Sequence, residues 1–142
     1  PVIQGRMINR YQDMSDIPLL IAIDGEWGLG MRLDSTISYP RQMILGAIQD
    51  NDLIYQMGFD IAEQMKQVGI NMNFAPVVDI NNNPRNPVIN TRSFGEDRYN
   101  VTEKVISYFS GMQDNRLLVA AKHFPGHGDT ECDLKLRSAD NL

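Results

Sequence analysis

Cysteine is all but missing: Cys132 is the one thiol in 142 residues, so no intrachain disulfide holds the chain together and its stability has to come from packing. Basic residues are also scarce, 13 Lys and Arg against 18 Asp and Glu for a formal charge of -5, and they form no cluster. Binding to nucleic acid rests on neutralising phosphates, so that class of partner is excluded first. No apolar run approaches the ~20 residues that span a bilayer, and no transmembrane segment is expected. The opening Pro1-Val2-Ile3-Gln4-Gly5-Arg6 has neither an initiator Met nor the basic-then-apolar layout of a secretion signal, from which we expect a chain that starts mid-protein or after processing. None of these absences selects a compartment.

What is present is an average globular composition. Hydrophobic residues make up 42% and the 11 glycines bring the apolar share to about half, which argues against disorder. Along the chain the patterns alternate. Ile3, Met7, Ile8 and Tyr11 follow helical spacing, and Ile17-Pro18 stops any helix before it. Leu19 to Ile23 is a short continuous apolar run that predicts a strand buried on both faces, and a polar, glycine-rich stretch runs from Gly25 to Ser38. Ile54, Met57, Ile61, Met65 and Val68 predict a helix from Asn51 to Val68, capped by Asn51 or Asp52 and closed by Gly69. A strand is expected over Ile70 to Val78 with Pro76 near its end, then a loop over Asn81 to Pro87. A second helix from about Arg98 to Gln113 has Asp97 at its cap, and Leu117 to Ala121 forms a third buried-type strand. Strand and helix in alternation predict right-handed β-α-β units and a parallel sheet.

In such sheets chemistry gathers at the carboxyl ends of the strands. Asp24 follows the first strand, Asp79 and then Arg92 the second, and Lys122 with His123 the third. Each has a plain structural explanation when taken singly: Asp24 as a turn cap, Arg92 paired with Glu96 or Asp97, His123 as a satisfied core histidine. Their coincidence at successive strand ends favours a site. Asp24 and Glu26, two apart near a strand end, are expected to point in opposite directions, which disfavours an acid/base pair. His123 and His127 have the spacing of a zinc-binding helix pair, but Pro125 and Gly126 forbid that helix; a loop metal site with Asp129 is the weaker reading. Gly28-Leu29-Gly30 lacks the rest of a dinucleotide fingerprint, and no cofactor is expected.

The segment Lys122-His123-Phe124-Pro125-Gly126-His127-Gly128-Asp129-Thr130 closely resembles the signature of glycoside hydrolase family 3, in the branch of bacterial β-N-acetylglucosaminidases that act on cell-wall fragments. Ile21 to Glu26 with Arg32, Asn73 to Asp79, and Thr91-Arg92-Ser93-Phe94-Gly95 are similar to further segments of that family in the same order, so the resemblance covers nearly the whole chain. It implies a segment of a (β/α)8 TIM-type barrel, incomplete at both ends, with residues 1–142 forming part of the N-terminal barrel domain. It also implies that Asp24, Arg32, Arg92, Lys122 and His123 hydrogen-bond the hydroxyls and N-acetyl group of a terminal, non-reducing β-N-acetylglucosamine. The family's mechanism is a retaining double displacement through an aspartate nucleophile, with an Asp-x-His pair as acid/base on the loop after Phe-Pro-Gly-His-Gly.

Two departures qualify that expectation. Asp133 matches the carboxylate of the acid/base pair, but Lys135 stands where its histidine belongs. The family's nucleophile follows a later barrel strand, and Asp140 is too close to the Lys122-His123-Phe124 strand to be that residue. The chain by itself is therefore expected to recognise the sugar and to hydrolyse little or none. A catalytically inactive sugar-binding or scaffold relative, β-glucosidase-type specificity and a metal-dependent hydrolase are the alternatives. The partner is a carbohydrate, and open sheet edges invite self-association.

Overall fold

The computed structural model of the chain describes residues 1–131. Its elements run α1 (Val2–Asp13), β1 (Ala22–Ile23), α2 (Gln42–Leu45), α3 (Asn51–Gln67), β2 (Met72–Asn73), α4 (Arg98–Asp114) and β3 (Leu118–Val119), with single 3-10 turns at Leu29–Met31 and Asn90–Arg92. The three strands form a parallel sheet in the order β1-β2-β3, Ala22 pairing with Met72 and Met72 with Leu118. Two consecutive parallel pairings joined through α3 and α4 are β-α-β units. This open parallel sheet with its helices is a segment of a TIM-type barrel.

The strands are shorter than the apolar runs that predict them, yet their ladders continue past the named residues. Leu118 N–H donates to the Asn71 carbonyl and Ala120 N–H to that of Asn73, and beyond the sheet Val78 N–H donates to the Lys122 carbonyl at 2.6 Å. The buried Gln42 side chain bridges both backbone groups of Val77, Nε2 to the carbonyl at 2.7 Å and Oε1 from the N–H at 3.0 Å, standing in for a neighbouring strand.

Burial on both sheet faces is not observed. Ile21, Ile23 and Val119 pack against the buried core, whereas Leu20, Ala22 and Leu118 are exposed. Strand side chains alternate between faces, and α3 and α4 cover only one of them. The face left open among the described residues is the one that points inward in a closed barrel.

The core lies between that sheet and the α3–α4 pair, around Ile54, Ile61, Met65, Tyr108 and Met112. Phe94 meets Tyr108 edge to face, with ring centroids 6.5 Å apart. Both long helices start on an aspartate cap: Asp97 accepts from the Asn100 N–H as predicted, but α3 is capped by Asp50, one residue earlier than expected. Gly69 closes α3 at φ +84°, a conformation that costs glycine nothing. In α1 only Ile8 of the predicted apolar stripe is buried, while Ile3 and Met7 face outward. No helix among the described residues is long and apolar enough to cross a membrane.

Candidate functional site

Three chain segments that are distant in sequence deliver their polar residues to one end of the sheet. Asn73, fully buried in β2, holds the turn after β1 with its side-chain amide, accepting from the Gly25 N–H at 3.0 Å and donating to the Gly25 carbonyl at 3.1 Å. That fixes the backbone on which Asp24 and Glu26 sit. Tyr108 of α4 adds a hydrogen bond from its hydroxyl to the Glu26 carbonyl at 3.0 Å, and burial followed by the nearby Glu26 charge pushes its phenol far above the usual range.

From this anchored turn an alternating chain of charges runs across the strand ends. Arg32 donates through Nη2 to Asp24 Oδ2 at 2.9 Å, and Lys122 Nζ donates to Asp24 Oδ1 at 2.6 Å. The same ammonium reaches Glu26 Oε1 at 2.7 Å. Glu26 takes Arg92 as a fork, Nη2 to Oε1 at 2.6 Å and Nε to Oε2 at 3.0 Å. Arg92 Nη2 then lies 3.4 Å from His123 Nε2, and the other ring nitrogen, Nδ1, is 2.6 Å from Asp79 Oδ2.

Two expectations are corrected here. Asp24 and Glu26 do not diverge: both converge on Lys122, because the chain leaves the strand after Ile23 and turns at Gly25, so strand alternation no longer applies. Arg92 pairs not with Glu96 or Asp97 but with Glu26, 66 residues away, since the Asn90–Arg92 turn aims its guanidinium across the sheet end.

The electrostatics follow from burial and pairing. Glu26 is 1% exposed. Burial acts to raise its carboxyl, but the hydrogen bonds and charges of Arg92 and Lys122 outweigh it and hold the group below the ordinary carboxylate range. Asp24 behaves alike: burial raises it, Lys122 and then Arg32 lower it further, and it stays ionised. Glu26 in turn raises the Arg92 guanidinium. Asp24 and Arg32 remain half open to solvent, so the exposed end of the network offers an anionic acceptor beside cationic donors.

Beside this network a cavity of about 530 Å³ is lined by Asp79, Ala121, His123, Phe124, Pro125 and Asp129, among others. Phe124 stands 96% exposed at its rim. The rings of His123 and His127 are 6.0 Å apart, with Nδ1 of each engaged by Asp79 and Thr130 respectively. Among the described residues no group of three His, Cys, Asp or Glu side chains is placed to hold a metal ion.

All five residues expected to meet the sugar are thus brought together. Asp133 and Lys135 lie outside the described residues. Sequence reasoning passed over Asn73 and Gln42, and it treated Glu26 and Asp79 as secondary. The signal available was polarity inside apolar surroundings, an Asn at an alternate position of the Ile70–Val78 strand and an Asp directly after it.

A parallel β/α sheet whose charged side chains collect at the carboxyl ends of the strands is the arrangement of the functional end of a β/α barrel. The pattern of the glycosyl hydrolase family 3 N-terminal domain matches residues 3–139, and the chain belongs to that family. Beta-hexosaminidase A of Pseudoalteromonas piscicida is 41% identical over 127 residues, 86% of this chain and 21% of that protein. A glycoside hydrolase family 3 beta-N-acetylglucosaminidase from Paenibacillus sp. str. FPU-7 superposes with a TM-score of 0.85 at 40% identity, covering 92% of this chain and 26% of that one. A protein described as beta-glucoside phosphorylase BglX gives 0.88 at 30% identity, over 92% and 24%. The chain therefore spans about a quarter of the length of each of these relatives.

Proposed function

We propose that this chain is the sugar-recognition part of a retaining exo-β-N-acetylglucosaminidase acting on peptidoglycan or chitin-type fragments, and that residues 1–142 are part of its N-terminal barrel domain. The observation that carries the reading is the ionic chain through Arg32, Asp24, Lys122, Glu26 and Arg92 at the strand ends. Hexosaminidase-named relatives at about 40% identity support the substrate class.

In this reading Asp24 accepts hydrogen bonds from two sugar hydroxyls, while Lys122, Arg32 and Arg92 donate to hydroxyl and N-acetyl oxygens. Charge-assisted bonds of this kind are shorter and stronger than neutral ones. The salt bridges pre-organise the donors, so little ordering is left for the sugar to impose. The reaction is a double displacement: a carboxylate attacks the anomeric carbon as an acid protonates the leaving oxygen, and water then cleaves the glycosyl ester with retention. Asp133 is our candidate for the carboxylate of the acid/base loop. Lys135, at the place of its partner histidine, is a weak proton shuttle at neutral pH, an ordinary lysine having a pKa of ~10.4.

The structural likeness to a β-glucoside phosphorylase favours a second reading, β-glucoside specificity. Saturation-transfer NMR on the chain with N-acetylglucosamine and with glucose separates the two. The first reading expects saturable binding of N-acetylglucosamine about tenfold tighter than glucose, the worth of one good hydrogen bond, and its loss in Arg92→Ala. Equal binding supports the second reading, and binding of neither sugar overturns both.

A further inference from the structure

The buried carboxylate of Asp79 lies at the far end of the chain of charges, beyond His123, and both of its oxygens accept hydrogen bonds from the loop that follows. Oδ2 receives the His123 backbone N–H at 3.1 Å and stands 2.6 Å from His123 Nδ1. Oδ1 receives the His127 backbone N–H at 2.6 Å. One side chain, 3% exposed, thus grips the Phe124-Pro125-Gly126 loop at both ends. Ser93 in turn donates to the Asp79 carbonyl at 2.6 Å and holds that residue in place.

We infer that Asp79 is a positioning residue that fixes His123 with its proton on Nδ1 and so presents Nε2 to the site as a hydrogen-bond acceptor. A carboxylate only accepts, so the 2.6 Å contact needs a proton on Nδ1. A guanidinium only donates, so the Arg92 Nη2 contact at 3.4 Å needs a lone pair on Nε2. Both demands are met by one neutral tautomer, and its partner on the ring's other side sets which nitrogen keeps the proton. The Arg92 contact is long, which leaves that lone pair able to take a better donor. Lys122, Arg92 and Arg32 are donors of the ionic chain and Asp24 is its half-open acceptor, so His123 Nε2 adds a further point at which a ligand hydroxyl can give its hydrogen. The ligand part of this inference rests on the sugar reading above; the tautomer does not.

His123 and His127 are the sole histidines, so ring-¹⁵N labelling of the full chain yields four nitrogens, assigned with His123→Gln. The expected spectrum shows His123 neutral with a protonated Nδ1 and a bare Nε2. In Asp79→Asn the proton should move to Nε2 in much of the population, and affinity for N-acetylglucosamine should fall about tenfold. A wild-type His123 with its proton on Nε2 overturns the inference, as does a folded Asp79→Asn variant with unchanged tautomer and affinity. Should that variant fail to fold, the wild-type spectrum decides by itself. The expected tautomer without saturable N-acetylglucosamine binding would refute the sugar reading and support the role of Asp79.

Discussion

Glu26 shows how much one side chain can depend on partners that lie far along the chain. Its carboxylate is enclosed by Arg92 and Lys122, 66 and 96 residues downstream, and its backbone carbonyl is held by Tyr108. Removing its charge leaves Arg92 without its carboxylate and Lys122 with Asp24 alone, in a site that is mostly shielded from water. Breaking a buried pair from one side costs about 3 to 5 kcal/mol, and since Arg92 and Lys122 keep some exposure, Glu26→Gln is expected to lose about 3 kcal/mol. Urea unfolding checks this as a lower midpoint with an unchanged slope. A loss below about 0.5 kcal/mol, the range of ordinary surface changes, would mean that the ion pairs are not formed in solution. At this scale sequence reading located Asp24, Lys122 and His123 because they directly follow an apolar strand run, and Arg92 because it lies in the segment after the second strand that resembles the family's. It missed the direction of Glu26, because the turn at Gly25 cancels strand alternation and nothing local encodes where Lys122 will arrive.

Among the elements, α3 and α4 were the most legible and α2 with the two 3-10 turns the least. The long helices carry a sustained 3.6-residue pattern with aspartate caps, while a four-residue helix such as α2 has no period to read. Helix pattern does not disclose how closely two helices approach. Here the approach is set by glycines: a methyl group at Gly111 would overlap the Tyr55 carbonyl, and one at Gly58 would overlap the Tyr108 carbonyl. The contacts are to backbone, which cannot rotate aside as a side chain would. Gly111→Ala is therefore expected to destabilise despite alanine's better helix propensity, by about 1 to 3 kcal/mol, the usual cost of overpacking. Thermal unfolding followed by circular dichroism measures it; a melting temperature equal to or above wild type would show that the helices are not in contact there. The strands make the converse point. Their apolar runs predicted burial on both sides, but run composition is the same whether a second layer covers the sheet or the inside of a barrel does, and only the packing of α3 and α4 on one face distinguishes these.

For the whole molecule, the ionic chain ties three distant segments together and makes the fold sensitive to acid. Asp24 and Glu26 both have folded-state values below their ordinary 3.8 and 4.5. A depressed carboxylate contributes stability that is fully present above its unfolded value and is lost as the pH falls through the folded one, because the unfolded chain then binds the extra protons. Stability should therefore be complete above about pH 4.5 on this account and decline below it. Melting temperatures between pH 5 and pH 3 should fall more steeply for wild type than for the double variant Asp24→Asn with Glu26→Gln; parallel slopes would remove the network as the cause.

The amino-acid sequence by itself determined the alternation of strand and helix, the parallel sheet that alternation requires, and the placing of charged residues just past the strand ends. These are local properties, carried by periodicity, capping and turn residues. Family membership was legible in the same way, through short ordered segments such as Lys122 to Thr130. Only the tertiary structure decided which charges meet: Glu26 with Arg92 and Lys122, Asp79 with both ends of the following loop, Asn73 with the turn at Gly25. Those pairings join residues 44 to 96 positions apart, and their partners are chosen by strand register and helix packing, quantities that no stretch of sequence contains alone.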